Sequence, residues 1–144
     1  MHHTQSNHYN HYNHYVVMFF IMVVSGLLST MNVWVDKLDD IRISLNDVYM
    51  ILLMSGWMLL FMGIFYKSAN AFIFGLALVI CNIWCIRTQF LVSEKQYKLG
   101  MIPHHSMAVH MSKKLLEKEN TITPFLNNLI QTQDKEIVFL KKIV

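Results

Sequence analysis

The sequence predicts an all-α protein in which three transmembrane helices are followed by a C-terminal helical hairpin. Residues 16–35, 48–66 and 69–86 carry no charged side chain. At about 1.5 Å per residue, each of these segments is long enough to cross the hydrocarbon core of a bilayer. By contrast, nine of the 12 basic residues lie within 87–144, where apolar residues recur at helical spacing.

The first 15 of the 144 residues form a polar tail that contains five of the eight histidines, and its sequence repeats Asn-His-Tyr three times. It has no apolar face to bury, so we expect it to be disordered. The tail is either a solvated segment of biased composition or a metal-collecting tail. The second interpretation rests on five imidazoles: His2, His3, His8, His11 and His14.

The positive charges near the spans predict the orientation. Counting only Lys and Arg, the first connection and the segment after the third span carry five, whereas the tail and the second connection carry one. The positive-inside rule therefore predicts an outer N-terminus and a cytosolic C-terminus. The bilayer is the predicted partner, and the lack of a basic stripe with interleaved aromatic residues argues against nucleic acid.

The C-terminal segment 87–144 is predicted to form a hairpin of helices at 98–119 and 124–144. We expect Pro103 to mark the true start of the first of these helices, because proline is tolerated in a first turn. Thr123 and Pro124 are typical of a helix start. Each helix has one apolar stripe and nothing to cover its other side, which predicts a homo-oligomer formed through the hairpin.

A cluster of methionine and histidine residues lies on the first hairpin helix. Placed at about 100° per residue, three thioethers and two imidazoles share a little under half of the circumference, with a third imidazole at the edge. This donor set suits copper, especially Cu(I), although methionine at helical spacing is also common in cores. The predicted metal ligands are Met101, His104, His105, Met107, His110 and Met111, and Gln133 and Glu136 on the second helix are expected to orient the imidazoles.

Sulfur-bearing residues also recur inside the predicted spans. Met50, Met54, Met58 and Met62 form one slanted stripe along the second span, and Cys81 and Cys85 repeat the spacing in the third. They are either soft ligands for Cu(I) or flexible apolar side chains at a packing surface. No enzyme motif is found, so the prediction is a non-enzymatic protein.

The segments Met101-Ile-Pro-His-His-Ser and Ile130-Gln-Thr-Gln-Asp-Lys-Glu-Ile resemble the family known as domain of unknown function 305. The segments 44–54 and 86–89 are also similar to the membrane-anchored branch of this family. The resemblance implies a ferritin-like fold, and some members of the family bind copper outside the cytoplasm. The resemblance therefore predicts an extracytoplasmic hairpin, whereas the charge count predicts a cytosolic one. The positions that match the family are Met101, His104, His105, Met111, Gln133 and Glu136.

We therefore expect a membrane-anchored protein that binds or handles a metal, with copper as the ion. One alternative is a transporter-like copper channel lined by the methionine stripe, since the outer histidine tail and three spans are similar to those of high-affinity copper transporters. The other is a structural membrane protein whose hairpin mediates oligomerisation.

Overall fold

The computed structural model describes the backbone of residues 4–144 and the side chains of residues 14–144. This part of the chain is helical and contains no strand, which confirms the all-α prediction. It divides into two compact units: the residues up to Leu28 with 48–90, and residues 29–47 with 91–144. The five helices are α1 (Thr4–Leu28), α2 (Leu45–Phe65), α3 (Ala69–Thr88), α4 (Glu94–Leu116) and α5 (Thr123–Ile143).

Three segments are long and apolar enough to span a membrane, as the sequence predicted. They are His14–Trp34, Leu45–Phe65 and Ala69–Thr88. The polar residues 4–15, which we expected to be disordered, instead form the first turns of α1. A helix that is already nucleated in the apolar segment extends at low cost into neighbouring polar residues. Residues 1–3 lie outside the described part of the chain, as do the side chains of the first thirteen residues.

Three glycines let α2 and α3 approach each other closely in the first unit. A Cβ atom added at Gly75 would lie 2.4 Å from the backbone nitrogen of Leu60, and one added at Gly63 would lie 2.4 Å from that of Phe72. Gly56 also faces α3, where an added Cβ would lie 3.2 Å from the backbone of Val79. Inside a bilayer the hydrophobic effect does not hold helices together, and small residues stabilise their association by allowing close van der Waals packing.

In the second unit, α4 packs against α5 through an aliphatic core. Ile102 and Val109 are completely buried, and Ile137 of α5 is 5% exposed between them. Ile130 and Leu140 border this core. The hairpin and its apolar stripes follow the predicted pattern, although the helix ends differ from 98–119 and 124–144 by up to four residues.

The prediction that Pro103 starts a helix is wrong. Helix α4 begins nine residues earlier, at Glu94, where the Ser93 side chain accepts a hydrogen bond from the backbone N–H of Gln96 at 3.4 Å. Pro103 lies inside the helix and is buried. Proline removes one hydrogen bond from the helix. The capped first turn and the burial of the flanking apolar side chains offset this loss.

The connecting segment, residues 29–47, packs on the hairpin. Its two ends, residues 29–34 and 45–47, overlap the apolar segments His14–Trp34 and Leu45–Phe65. It contains two short 3-10 helices, Met31–Trp34 and Leu38–Asp40. Its Asn32 side chain exchanges two hydrogen bonds with the backbone of Arg42, at 2.7 and 2.9 Å. The backbone N–H of Leu45 donates to the Gln96 side chain of α4 at 2.8 Å. The hairpin side that we expected only a second copy to cover is therefore partly covered within the same chain.

Candidate metal site

The rotation of α4 decides which members of the methionine and histidine cluster reach solvent. Ile102, Ser106 and Val109 are completely buried and define the inner face of the helix. His104 and Met111 are exposed on the opposite side, and Met111 is 52% exposed. Met101, Met107 and His110 are half-buried between the two faces. The thioethers therefore lie outside the aliphatic core of the hairpin.

His105 is turned away from this outer face and towards α5. Its side chain is 12% exposed, and Nδ1 lies 3.0 Å from Oε2 of Glu136, without meeting the geometry of a hydrogen bond. Burial lowers the pKa of the His105 imidazole, while the Glu136 carboxylate raises it and His104 lowers it further. The net pKa is below the ordinary value of 6.5, so the imidazole is neutral at neutral pH and able to accept a metal.

The lowered pKa of His105 predicts a loss of stability in acid. As the pH falls below about 6.5, the imidazole takes up a proton in the unfolded chain before it does so in the folded one. The free energy of unfolding therefore decreases below about pH 6.5, whereas above this pH the imidazole is neutral in both states and has no such effect. We expect thermal unfolding of the metal-free, full-length protein to show a lower midpoint at pH about 5.5 than at about 7.5, and His105→Gln to reduce this difference. His104→Gln is the matched control and should retain most of it. Equal pH profiles for the parent and His105→Gln would contradict the prediction.

The two residues expected to orient the imidazoles both lie on α5. The Glu136 carboxylate lies beside His105 across the hairpin, and Gln133 is half-buried. Within the described side chains, no group of three or more His, Cys, Asp or Glu residues lies close enough to hold a metal ion. Any metal site here would depend on thioether sulfur as well as imidazole nitrogen.

Sequence reasoning missed the residues that hold α4 in this orientation. Ser106 lies between His105 and Met107, and its hydroxyl donates a hydrogen bond of 2.5 Å to Oδ2 of Asp40. The same hydroxyl accepts one of 2.9 Å from the backbone N–H of Asp36. The available signal was a serine in the centre of the apolar face of α4, together with a cluster of aspartates in the connecting segment.

Lysines of both hairpin helices complete this polar network. Nζ of Lys141 lies 2.6 Å from Oδ1 of Asp40, whose side chain is 2% exposed, and also pairs with Asp39. Lys113 pairs with Asp36 at 2.7 Å. A buried carboxylate is tolerated only when it is paired and hydrogen-bonded, and Asp40 meets both conditions.

Comparison with known proteins gives the family. A family model described as a domain of unknown function, DUF305, matches residues 88–144. An uncharacterized protein of Acanthamoeba polyphaga mimivirus is 40% identical over 136 residues, which are 90% of this chain and 90% of that protein. This chain belongs to the DUF305 family. No solved structure matches it.

The DUF305 match covers α4 and α5 but not the connecting segment that packs on them. The similarity to the mimivirus protein covers most of the chain, including at least part of the spans. In this DUF305 chain, the histidine–glutamate pair and Ser106 lie within the matched range, whereas Asp36 and Asp40 lie before it. The match alone therefore does not reveal the network that orients α4.

The sulfur residues of the spans lie outside the DUF305 match. On α2, Met50 and Met54 are exposed by 49% and 42%, and Met58 and Met62 are half-buried. Cys85 of α3 is buried and Cys81 is exposed. The stripe thus lies partly on the outer surface of the first unit, and this position is compatible with packing against lipid or against another helix.

Proposed function

We propose that this DUF305 protein is a non-enzymatic, membrane-anchored protein whose hairpin binds copper as Cu(I) on the outer face of α4. His104, Met107 and Met111 would supply the central donors. The remaining predicted ligands, Met101, His105 and His110, flank them. Thioether and imidazole groups are the soft and intermediate ligands that Cu(I) prefers.

The composition of the hairpin core carries this proposal. Methionine on a helix is ordinarily explained by core packing. Here the core consists of Ile102, Val109 and Ile137 bordered by Ile130 and Leu140, and it includes no methionine among the described residues. Met111 is instead half-exposed, one turn after Met107 and two turns after His104. Packing in the hairpin core therefore does not account for a thioether at this position, which supports a role in metal binding.

A Cu(I) competition titration of the full-length protein in detergent tests the proposal. The five tail histidines are first replaced by glutamine, because they would bind copper themselves. In this background we expect His104→Gln and Met111→Leu each to weaken Cu(I) binding at least about tenfold, or about 1.4 kcal/mol. Leucine keeps the volume of methionine and removes only the sulfur.

Met54→Leu on α2 is the matched control for the loss of one thioether, and it should bind Cu(I) like the parent. If Met54→Leu weakens binding and Met111→Leu does not, the alternative of a copper channel lined by the methionine stripe is favoured. If the parent binds no Cu(I), the metal proposal fails and a structural role for the hairpin is the better account.

The proposal also includes an orientation and a partner. The positive-inside count supports an outer N-terminus and a cytosolic hairpin. Pairing with a second copy through the hairpin is supported by exposed apolar side chains on α5, where Val138 and Phe139 are each more than half exposed. Sedimentation of the titrated samples reports the number of copies.

A further inference from the structure

An apolar groove lies in the second unit, between the end of the short helix Met31–Trp34 and the turn that joins α4 to α5. It encloses about 450 Å³. Leu126 forms its buried floor, and Trp34, Phe125 and Leu129 form much of its walls. Trp34 is 55% exposed and Phe125 is 60% exposed, so two large aromatic side chains face an open space. A groove of this size with mainly apolar walls is within the range of ligand sites.

The two lysines that line the groove favour an anion. Lys114 and Lys118 lie on its rim, and none of the described residues that line it is acidic. Lys114 also contacts Glu117 at 2.8 Å, but both side chains are about 60% exposed. An exposed ion pair of this kind contributes little to stability, so Lys114 can leave Glu117 and bind a stronger anion.

The position of Trp34 indicates where the ligand comes from. This residue is the last of the first span, His14–Trp34, and tryptophan is enriched at the interface between a membrane and water. A wall of the groove therefore lies at the bilayer surface. We infer that the groove binds an acidic phospholipid of the surrounding bilayer, with the phosphate at Lys114 and Lys118 and an acyl chain against Trp34, Phe125 and Leu129.

A soluble phosphate compound explains these features less well, because it would leave the apolar walls uncovered. The orientation proposed above is also consistent with this inference, since acidic lipids are concentrated in the cytoplasmic leaflet. The inference does not depend on metal binding. His110 and Met111, two of the proposed metal ligands, also line the groove. The lipid contacts assigned here use neither of them.

Fluorescence of Trp34 in the full-length protein tests the inference. Trp57→Phe and Trp84→Phe remove the two other tryptophans, and the protein in detergent micelles is titrated with phosphatidylserine or phosphatidylcholine carrying brominated acyl chains, which quench a nearby indole. We expect half-maximal quenching by phosphatidylserine at a concentration about tenfold lower than by phosphatidylcholine. High salt should reduce this preference.

The variant Lys114→Gln/Lys118→Gln should bind the two lipids equally. The matched control is Lys135→Gln/Lys142→Gln, which removes the same charge from exposed positions on α5 and should keep the preference. Equal quenching of the parent by both lipids would overturn the inference, because Trp34 would then only sense the bulk micelle. Displacement of phosphatidylserine by inorganic phosphate at similar concentration would overturn it as well, since the site would then bind free anions.

Discussion

Asp40→Ala is expected to lower the free energy of opening of α4 and α5 by about 3 kcal/mol, because it removes the buried carboxylate that Ser106 and Lys141 share as a partner. The Asp40 carboxylate accepts a hydrogen bond from Ser106 and pairs with Lys141, which is only 23% exposed. This expected loss is at the lower end of the range for breaking a buried ion pair, because Lys141 still pairs with Asp39. Hydrogen exchange of the full-length protein in detergent, resolved to α4 and α5, measures the change.

The neighbouring variant Asp39→Ala is the matched control. It removes an acid that pairs with the same lysine, but the Asp39 side chain is 81% exposed. Exposed ion pairs contribute little to stability, so hydrogen exchange in this variant should remain close to that of the parent. If hydrogen exchange of α4 and α5 is accelerated equally in both variants, their stability depends on the total charge around Lys141 and not on the buried, hydrogen-bonded carboxylate.

Gly75→Ala is expected to destabilise the first unit by about 3 kcal/mol, the upper part of the usual range for an overpacked site. The added Cβ would lie 2.4 Å from the backbone nitrogen of Leu60 and 2.8 Å from the carbonyl oxygen of Gly56. Neither atom can rotate away, so α2 and α3 must separate. Unfolding of the full-length protein by a denaturing detergent, followed by circular dichroism, measures this loss.

Gly26→Ala is the control for this variant. There the added Cβ would meet the side chain of Ile51 at 2.9 Å, and a side chain can shift where a backbone cannot. Alanine also favours a helix over glycine by about 1 kcal/mol, which offsets part of the cost. We therefore expect little net change. A Gly26→Ala variant as unstable as Gly75→Ala would contradict the importance of backbone contact at Gly75.

The close packing of α2 and α3 illustrates what the pattern of residues left out. Hydropathy identifies each span because every residue contributes to it independently. The pairing of Gly75 with Leu60 and Gly56 depends on how two helices are rotated, and a single glycine gives no indication of its neighbour. Only the packing of α2 against α3 brings these positions together.

The position of Pro103 shows a second kind of limit. A rule based on proline alone predicts a helix start, because it counts the lost hydrogen bond. It does not count the burial of Pro103 and Ile102 or the cap provided by Ser93, which together let α4 continue through the proline. Local propensity is overridden when tertiary contacts contribute more than the local cost.

The arrangement of the proposed metal ligands on α4 was predictable only in part. The spacing placed His104, Met107 and Met111 on one face, and the structure places His104 and Met111 on the exposed side, with Met107 half-buried beside them. It also turns His105 to Glu136 on α5. The spacing alone did not separate His105 from the outer face, since the direction of the core was unknown until α5 and the connecting segment were in place.

The sequence by itself determined the number of α-helices, their order and the three apolar spans, because runs and periods of apolar residues are local properties of a chain. The resemblance to the family came from two short motifs on the hairpin helices. The tertiary structure alone decided that the connecting segment joins the hairpin and fixes the rotation of α4. That decision depends on Ser106 meeting Asp40, two residues 66 positions apart. The physical reason is that a buried carboxylate requires partners, and folding can supply them from any distance along the chain.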